Sequence, residues 1–208
     1  MTLLSYDPDY LQPPGLHFSE DSVLLALRAP KFLPNGRAAD LGCGCGVVGL
    51  EALNKALLLG IKKLFFIEKN FIFEKYLAFN IKNSQHLARL TPVWSDWRDL
   101  TPDSLGGSLD YIICNPPWFP VKSRMSPNYD RRLQRQELAG DLGDLLKTVS
   151  VLLRPGGSCT IAWPGIRQDS LIRLLSRTGD LKLSRADIVT RKGGHLLLAS
   201  VRKDPGPF

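Results

Sequence analysis

Apolar residues along this chain fall into short, nearly unbroken runs separated by segments with helical spacing. Residues 37–41, 63–68, 90–94, 109–114 and 158–163 are of strand length and pattern as strands, with the apolar run Tyr111-Ile112-Ile113-Cys114 reading as buried. Between them, 47–59, 71–83, 142–153 and 168–176 carry apolar positions at the period of a helix. The helix from Leu142 is stopped by Arg154-Pro155-Gly156-Gly157. A short apolar helix over 21–27 follows a Pro- and Gly-rich lead-in and ends near Pro30. Strands that alternate with helices predict a parallel, doubly wound α/β sheet.

The ending breaks that alternation. Residues 181–189 and 195–202 both pattern as strands, joined only by Thr190-Arg191-Lys192-Gly193-Gly194. So short a joint holds no crossover helix and requires an antiparallel pair. The expected architecture is a Rossmann-like, seven-stranded sheet, mostly parallel and closed by an antiparallel C-terminal hairpin. No repeat, low-complexity tract or linker divides the chain, so 1–208 reads as a single domain, with 1–30 as lead-in and short helix. At 208 residues and 44% hydrophobic it buries a substantial core.

Composition narrows the classes. No apolar run approaches the ~18 residues of a membrane span. The first fourteen residues lack a basic region followed by an apolar stretch, which predicts no secretory leader and a cytoplasmic location. Cysteines 43, 45, 114 and 159 match no zinc spacing and read as reduced thiols. His17, His86 and His195 show no metal or triad spacing and read as structural or exposed, so no metal is expected. The net charge of +7 permits a nucleic acid partner. Between Asn115 and Glu137, the cations Lys122, Arg124, Arg131, Arg132 and Arg135 outnumber the acids Asp130 and Glu137. These cations are candidate phosphate contacts. No isolated apolar stripe argues for a dimer, and the oligomeric state stays open.

The first strand ends in Asp40-Leu41-Gly42-Cys43-Gly44-Cys45-Gly46. Glycines there admit positive φ and close approach of a ligand to the backbone. Gly44-Cys45-Gly46-Val47-Val48-Gly49 is also a literal GxGxxG, with Glu68 nineteen residues beyond Gly49, so this loop alone does not separate a dinucleotide from other nucleoside cofactors. Two features favour S-adenosylmethionine. Asp40, before the glycines, is placed to receive a cationic amino acid portion and would repel a pyrophosphate. The second feature is a segment with no role in hydride transfer, described below. On this reading Gly42, Cys43, Gly44 and Gly46 cradle the cofactor. Glu68, with Lys69 beside it, accepts from the ribose hydroxyls, and Asp96 beside Trp97 binds the adenine amine. Ser19 and Asp21 cap the first helix and line the same pocket.

Asn115-Pro116-Pro117-Trp118 follows the strand Tyr111-Ile112-Ile113-Cys114 and so sits at its carboxyl end, where open α/β sheets bind ligands. The prolines fix the backbone and leave carbonyl oxygens without competing N–H donors. An amide oxygen, outward carbonyls and an indole suit a planar group bearing an NH2. In this reading the Asn115 side chain and the Pro116 carbonyl accept the two amine hydrogens, Pro117 fixes the bend, and Trp118 stacks on the base.

Together, Asp-Leu-Gly-x-Gly-x-Gly, the acid at 68 and Asn115-Pro116-Pro117-Trp118 resemble the class I S-adenosylmethionine-dependent methyltransferases of the amino-methylating branch. Gln12-Pro13-Pro14-Gly15-Leu16-His17-Phe18-Ser19-Glu20-Asp21-Ser22-Val23-Leu24-Leu25 is similar to the amino-terminal motif of the bacterial tRNA1(Val) adenine N6-methyltransferase group. So is Arg135-Gln136-Glu137 with the helix and Arg-Pro-Gly-Gly turn that follow. Trp118 stands where Tyr or Phe is more usual, and Gln136 where the group often has His. The resemblance implies methyl transfer to an exocyclic amine, adenine N6 in tRNA first. A protein glutamine amide, as in the release-factor-modifying family, and a guanine amine in rRNA pose the same chemical problem and stay open. Outside that chemistry, an NAD-binding oxidoreductase and a silent RNA-binding module also remain.

Overall fold

The computed structural model describes residues 10–116, 142–191 and 194–206. Seven strands form one sheet: β1 (Arg37–Leu41), β2 (Lys63–Glu68), β3 (Leu90–Trp94), β4 (Leu109–Cys114), β5 (Leu153–Pro164), β6 (Leu181–Arg191) and β7 (Gly194–Lys203). Their order is β3-β2-β1-β4-β5-β7-β6. β1 pairs in parallel with both β2 and β4, while β7 runs antiparallel to β5 and β6. The strand order reverses between β1 and β4, which makes the carboxyl ends of these two strands the switch-point crevice.

The sheet is covered on both faces. Helices α1 (Glu20–Ala26), α2 (Val47–Asn54) and α3 (Glu74–Lys82) pack one face through Leu25, Leu50, Leu53, Leu77 and Ile81 against Ala38, Leu64, Phe66 and Ile113. Helices α4 (Leu142–Leu152) and α5 (Gln168–Thr178) pack the other through Leu145, Leu146, Val149 and Leu171 against Ile112, Ile161 and Trp163. Burial on both faces explains the unbroken apolar stretches Leu64–Ile67 in β2 and Tyr111–Cys114 in β4. Pro92, unable to donate to a ladder, lies in β3 at the sheet edge.

Two elements differ from the sequence expectation. The helix expected over 47–59 ends at Asn54. Ala56 and Leu58 turn left-handed at φ 54° and 55°, and the Leu58 and Leu59 amides donate to the Pro30 and Lys31 carbonyls. Leu58 thereby reaches 1% exposure. A tertiary pairing outweighs the helix preference of Leu57-Leu58-Leu59. The strand expected from 158 starts earlier, because Leu153 pairs with Leu109 before the register jumps to Tyr111 and Ser158. Arg154-Pro155-Gly156-Gly157 is the excursion between the two pairings.

Candidate active site

At the switch point lies a cavity of about 320 Å³, within the usual range for a small-ligand site. Four pieces of chain build it: the lead-in and α1 (Leu16, Phe18, Ser19, Asp21, Ser22), the glycine loop (Gly42 to Cys45), the end of β2 (Glu68, Lys69) and the end of β4 (Cys114, Asn115, Pro116). Phe73, Trp97, Val47 and Val48 supply apolar wall.

The glycine loop divides its labour. Gly42 stands at φ 67° on the cavity wall, and a methyl group there would meet nothing within 4 Å of the protein. Its missing side chain leaves room for a ligand. Gly46, at φ 85°, is different: a Cβ would come within 2.7 Å of Leu77. Gly49 is equally confined, with the Phe66 ring 2.8 Å from a Cβ. These two serve the packing of α2 on the sheet.

Asp40 is not on the cavity wall. Period-two alternation puts it on the same face as Ala38, under α2, where it is 1% exposed and accepts from the Gly49 amide at 2.9 Å. Gly46 is the N-cap of α2 and has no capping side chain. Asp40 therefore takes over one orphan donor of that helix from a neighbouring strand. Burial, partly offset by this hydrogen bond and reinforced by the Glu68 charge, pushes its carboxyl up to about 7.

Glu68 lines the cavity at 4% exposure. One oxygen accepts from the Gly44 amide at 2.9 Å, the other from Lys69 and Asn70 amides at 2.9 and 2.8 Å. A carboxylate offers about four acceptor positions, so capacity remains for a ligand hydroxyl. Burial raises its pKa despite these bonds.

Asp96 is drawn away from the expected role. It caps its own turn by accepting from Arg98 N and is paired with the Arg98 guanidinium at 2.5 Å and Lys69 Nζ at 3.2 Å. Those partners, Arg98 first, hold its carboxyl well below the usual range. Asp96 does not line the cavity; its neighbour Trp97 does. Ser19 occupies the N-cap position of α1 without a side-chain capping bond, and it lines the cavity with Asp21. Thiols Cys43 and Cys45 also face the cavity, but burial pushes both up, Cys45 to about 11, so neither is a thiolate near neutral pH.

Asn115 Nδ2 donates to Ser22 Oγ at 3.3 Å, and both residues line the cavity with Pro116. One amide hydrogen is thus spent on α1, which holds the amide in orientation, and the amide oxygen is an acceptor for a ligand. Pro117, Trp118, Lys122, Arg124, Arg131, Arg132 and Arg135 lie outside the described residues.

Sequence reasoning about residue roles missed the lead-in wall. Leu16, His17 and Phe18 line the cavity, and His17 is an exposed side chain at its edge. The lead-in is pinned by Asn80, which accepts from Leu11 N at 2.9 Å and donates to the Leu11 and Cys45 carbonyls at 3.0 and 2.8 Å. Tyr10 Oη donates to Glu51 at 2.8 Å. Asn80 therefore joins the lead-in to the glycine loop. Its only signal in the sequence is a polar residue on the buried face of a helix. Among the described residues no cluster of His, Cys, Asp or Glu could hold a metal, and no helix is long and apolar enough to cross a membrane.

A mostly parallel seven-stranded sheet with a reversed hairpin, and a switch-point cavity walled by open glycine, buried acids and an asparagine amide, define a class I S-adenosylmethionine-dependent methyltransferase. The glycine cradle and the spare acceptor capacity of Glu68 fit that cofactor. Residues 18–136 match the methyltransferase small domain, and the chain belongs to that family. A Shewanella loihica protein described as tRNA1(Val) (adenine(37)-N6)-methyltransferase is 30% identical over 182 residues, covering 85% of this chain and 71% of that one. A Bacteroides fragilis protein of the same description is 28% identical over 173 residues, covering 83% and 70%. Among solved structures, Thermus thermophilus TrmN shares the fold with a TM-score of 0.63 at 20% identity. That match covers 88% of this chain and 48% of TrmN, so the chain spans about half the length of the Thermus protein.

Proposed function

We propose that this methyltransferase acts on the exocyclic N6 amine of an adenine in tRNA. The observation that carries the reading is the Asn115 amide, whose nitrogen donates to Ser22 on the cavity wall, a bond that orients its oxygen as an acceptor. An adenine amine is a weak nucleophile because its lone pair is delocalised into the ring. Two acceptors, Asn115 Oδ1 and the Pro116 carbonyl, take its two hydrogens, aim the lone pair and stabilise positive charge as it develops on nitrogen. The proton leaves after transfer, so no dedicated base is needed. Trp118 stacks on the base.

The cofactor, when bound, supplies an activated methyl group on a sulfonium. Gly42 and Gly44 would allow it close backbone approach, Glu68 would accept from its ribose hydroxyls, and Trp97 and Phe73 would supply apolar wall. Asp40 acts from beneath the loop, as a negative charge and as the cap of α2, in place of direct contact. Lys122, Arg124, Arg131, Arg132 and Arg135 contact phosphates.

The Shewanella and Bacteroides relatives support adenine in tRNA over the other amine-bearing targets. Transfer of tritium from labelled S-adenosylmethionine to tRNA tests the reading. Wild type is expected to label tRNA, and Asn115→Ala to lose at least about 100-fold in rate, the scale set by removing one charge-stabilising hydrogen-bond partner. Labelling of a glutamine-bearing peptide with none in RNA would move the target to protein.

A further inference from the structure

Asn80 spends both amide hydrogens and its oxygen on two other segments of the chain. The oxygen accepts from the Leu11 amide at 2.9 Å, and the nitrogen donates to the Leu11 carbonyl at 3.0 Å and to the Cys45 carbonyl at 2.8 Å. At 6% exposure these bonds meet little competition from water. Leu11 is thereby held at both of its backbone groups, as a residue in a strand pair is. The same side chain grips the glycine loop beside the cavity.

From Leu11 the hold passes along the lead-in. Gln12 Oε1 accepts from the Phe18 amide at 2.8 Å, and its Nε2 reaches back to the Tyr10 carbonyl at 3.5 Å. The Leu16 amide donates to the Pro13 carbonyl at 3.1 Å, and the Tyr10 and Phe18 rings meet edge to face at 6.2 Å. Residues 10–18 therefore form a loop closed at its base by Gln12. Its far side, Leu16 to Phe18, is cavity wall. Leu16 and Cys45 share a small apolar cluster with Phe73, a contact that is non-directional and tolerates sliding. The Asn80 hydrogen bonds are directional and set one spacing between the two walls.

We infer that Asn80 and Gln12 are positioning residues that act in series on the cofactor site. Asn80 fixes Leu11 against Cys45, and Gln12 carries that position across to Phe18. The lead-in wall thus stands at a set distance from the glycine loop before the cofactor arrives. Neither side chain lines the cavity, so the effect travels through the backbone. A wall ordered in advance does not have to be ordered by the ligand, which spares that entropy on binding. The inference rests on S-adenosylmethionine as the cofactor and holds whichever amine is methylated.

The test pairs isothermal titration of S-adenosylmethionine with hydrogen exchange of the Phe18 amide in the cofactor-free protein. Asn80→Ala and Gln12→Leu are each expected to raise the cofactor Kd about threefold to tenfold, the range of one hydrogen bond. Both are expected to speed exchange at Phe18 and to leave kcat at saturating cofactor within about twofold of wild type. The double variant is expected to bind no more weakly than the weaker single one, because a relay already cut is not cut further. Gln12→Glu keeps an acceptor for the Phe18 amide and is expected to retain the wild-type affinity. Effects on Kd that multiply in the double variant would overturn the series. So would a lower Tm for Asn80→Ala with Kd and Phe18 exchange unchanged. If Asn80→Ala does not fold, Gln12 decides alone: a wild-type Kd for Gln12→Leu overturns the proposal, and a raised Kd restored by Gln12→Glu upholds it. These readouts need no RNA, so a failed relay leaves the amine acceptor proposed above untouched.

Discussion

The Asn115 amide nitrogen sits 3.3 Å from the Ser22 hydroxyl oxygen, joining the end of β4 to the first turns of α1 across 93 residues of sequence. Ser22 is 6% exposed and fixed on a short helix whose Val23 and Leu25 are buried. That anchoring turns a rotatable amide into an oriented acceptor. Orientation held before the reaction is what makes such a group effective in a transition state.

Ser22→Ala removes the anchor without touching the acceptor. The expected result is a fall in kcat of about threefold to tenfold, the range of one neutral hydrogen bond, with the Kd for S-adenosylmethionine within twofold of wild type. Ser22→Thr retains a hydroxyl and is expected to recover most of the rate. Steady-state kinetics with isothermal titration of the cofactor separates this from general destabilisation, which would lower kcat and raise the Kd together.

Gly42 and Gly46 predict opposite defects from the same substitution. Gly42→Ala places a methyl group in the cavity, meeting no protein atom within 4 Å, at a backbone cost of about 1–2 kcal/mol for φ 67°. Cofactor affinity is expected to fall more than tenfold while the fold survives. Gly46→Ala adds overlap with Leu77, which is fully buried and has nowhere to move. About 2–4 kcal/mol of stability is expected to be lost there. Urea denaturation alongside cofactor titration distinguishes the two.

Asp40 gives the cofactor-free protein a pH dependence whose sign follows from its raised pKa. The folded carboxyl titrates at about 7, the unfolded one near its ordinary value of 3.8, so the folded state binds the proton more tightly. Its contribution is fully present below pH ~4 and is lost as pH rises through ~7, on the order of 4 kcal/mol at most. Glu68, also raised by burial, acts with the same sign. Asp40→Asn keeps an oxygen for the Gly49 amide and removes the titration. Stability measured from pH 4 to 8 is expected to fall less steeply in the variant. A bound cationic cofactor is expected to oppose the loss in wild type, because it favours the ionised carboxylates.

Strand and helix positions were legible because burial on both faces writes apolar runs, and because the short joint between the last two strands, shorter still once Thr190 and Arg191 pair with His195 and Gly194, leaves no room for a crossover. Asn115 and the glycine loop were legible for the same reason: each follows directly from a strand end. Asp40 and Asp96 were placed in contact with the cofactor, and both turned out to be engaged elsewhere. Which face a strand-end acid takes depends on the helix packed above it, and Asp96 meets Lys69 from the end of the neighbouring strand, 27 residues away, beside its local partner Arg98. Ser22 lies within the amino-terminal motif but no sequence signal assigns it a role, and Asn80 belongs to no motif. Their significance comes from contacts with Asn115 and with Leu11 and Cys45, at separations no local pattern encodes.

The most direct test of the account is nucleoside mass spectrometry of tRNA incubated with the protein and trideuteromethyl-labelled S-adenosylmethionine. The account predicts label in N6-methyladenosine, absent when Asn115→Ala replaces wild type. Label in another nucleoside, or unlabelled tRNA beside a labelled protein glutamine, would contradict it.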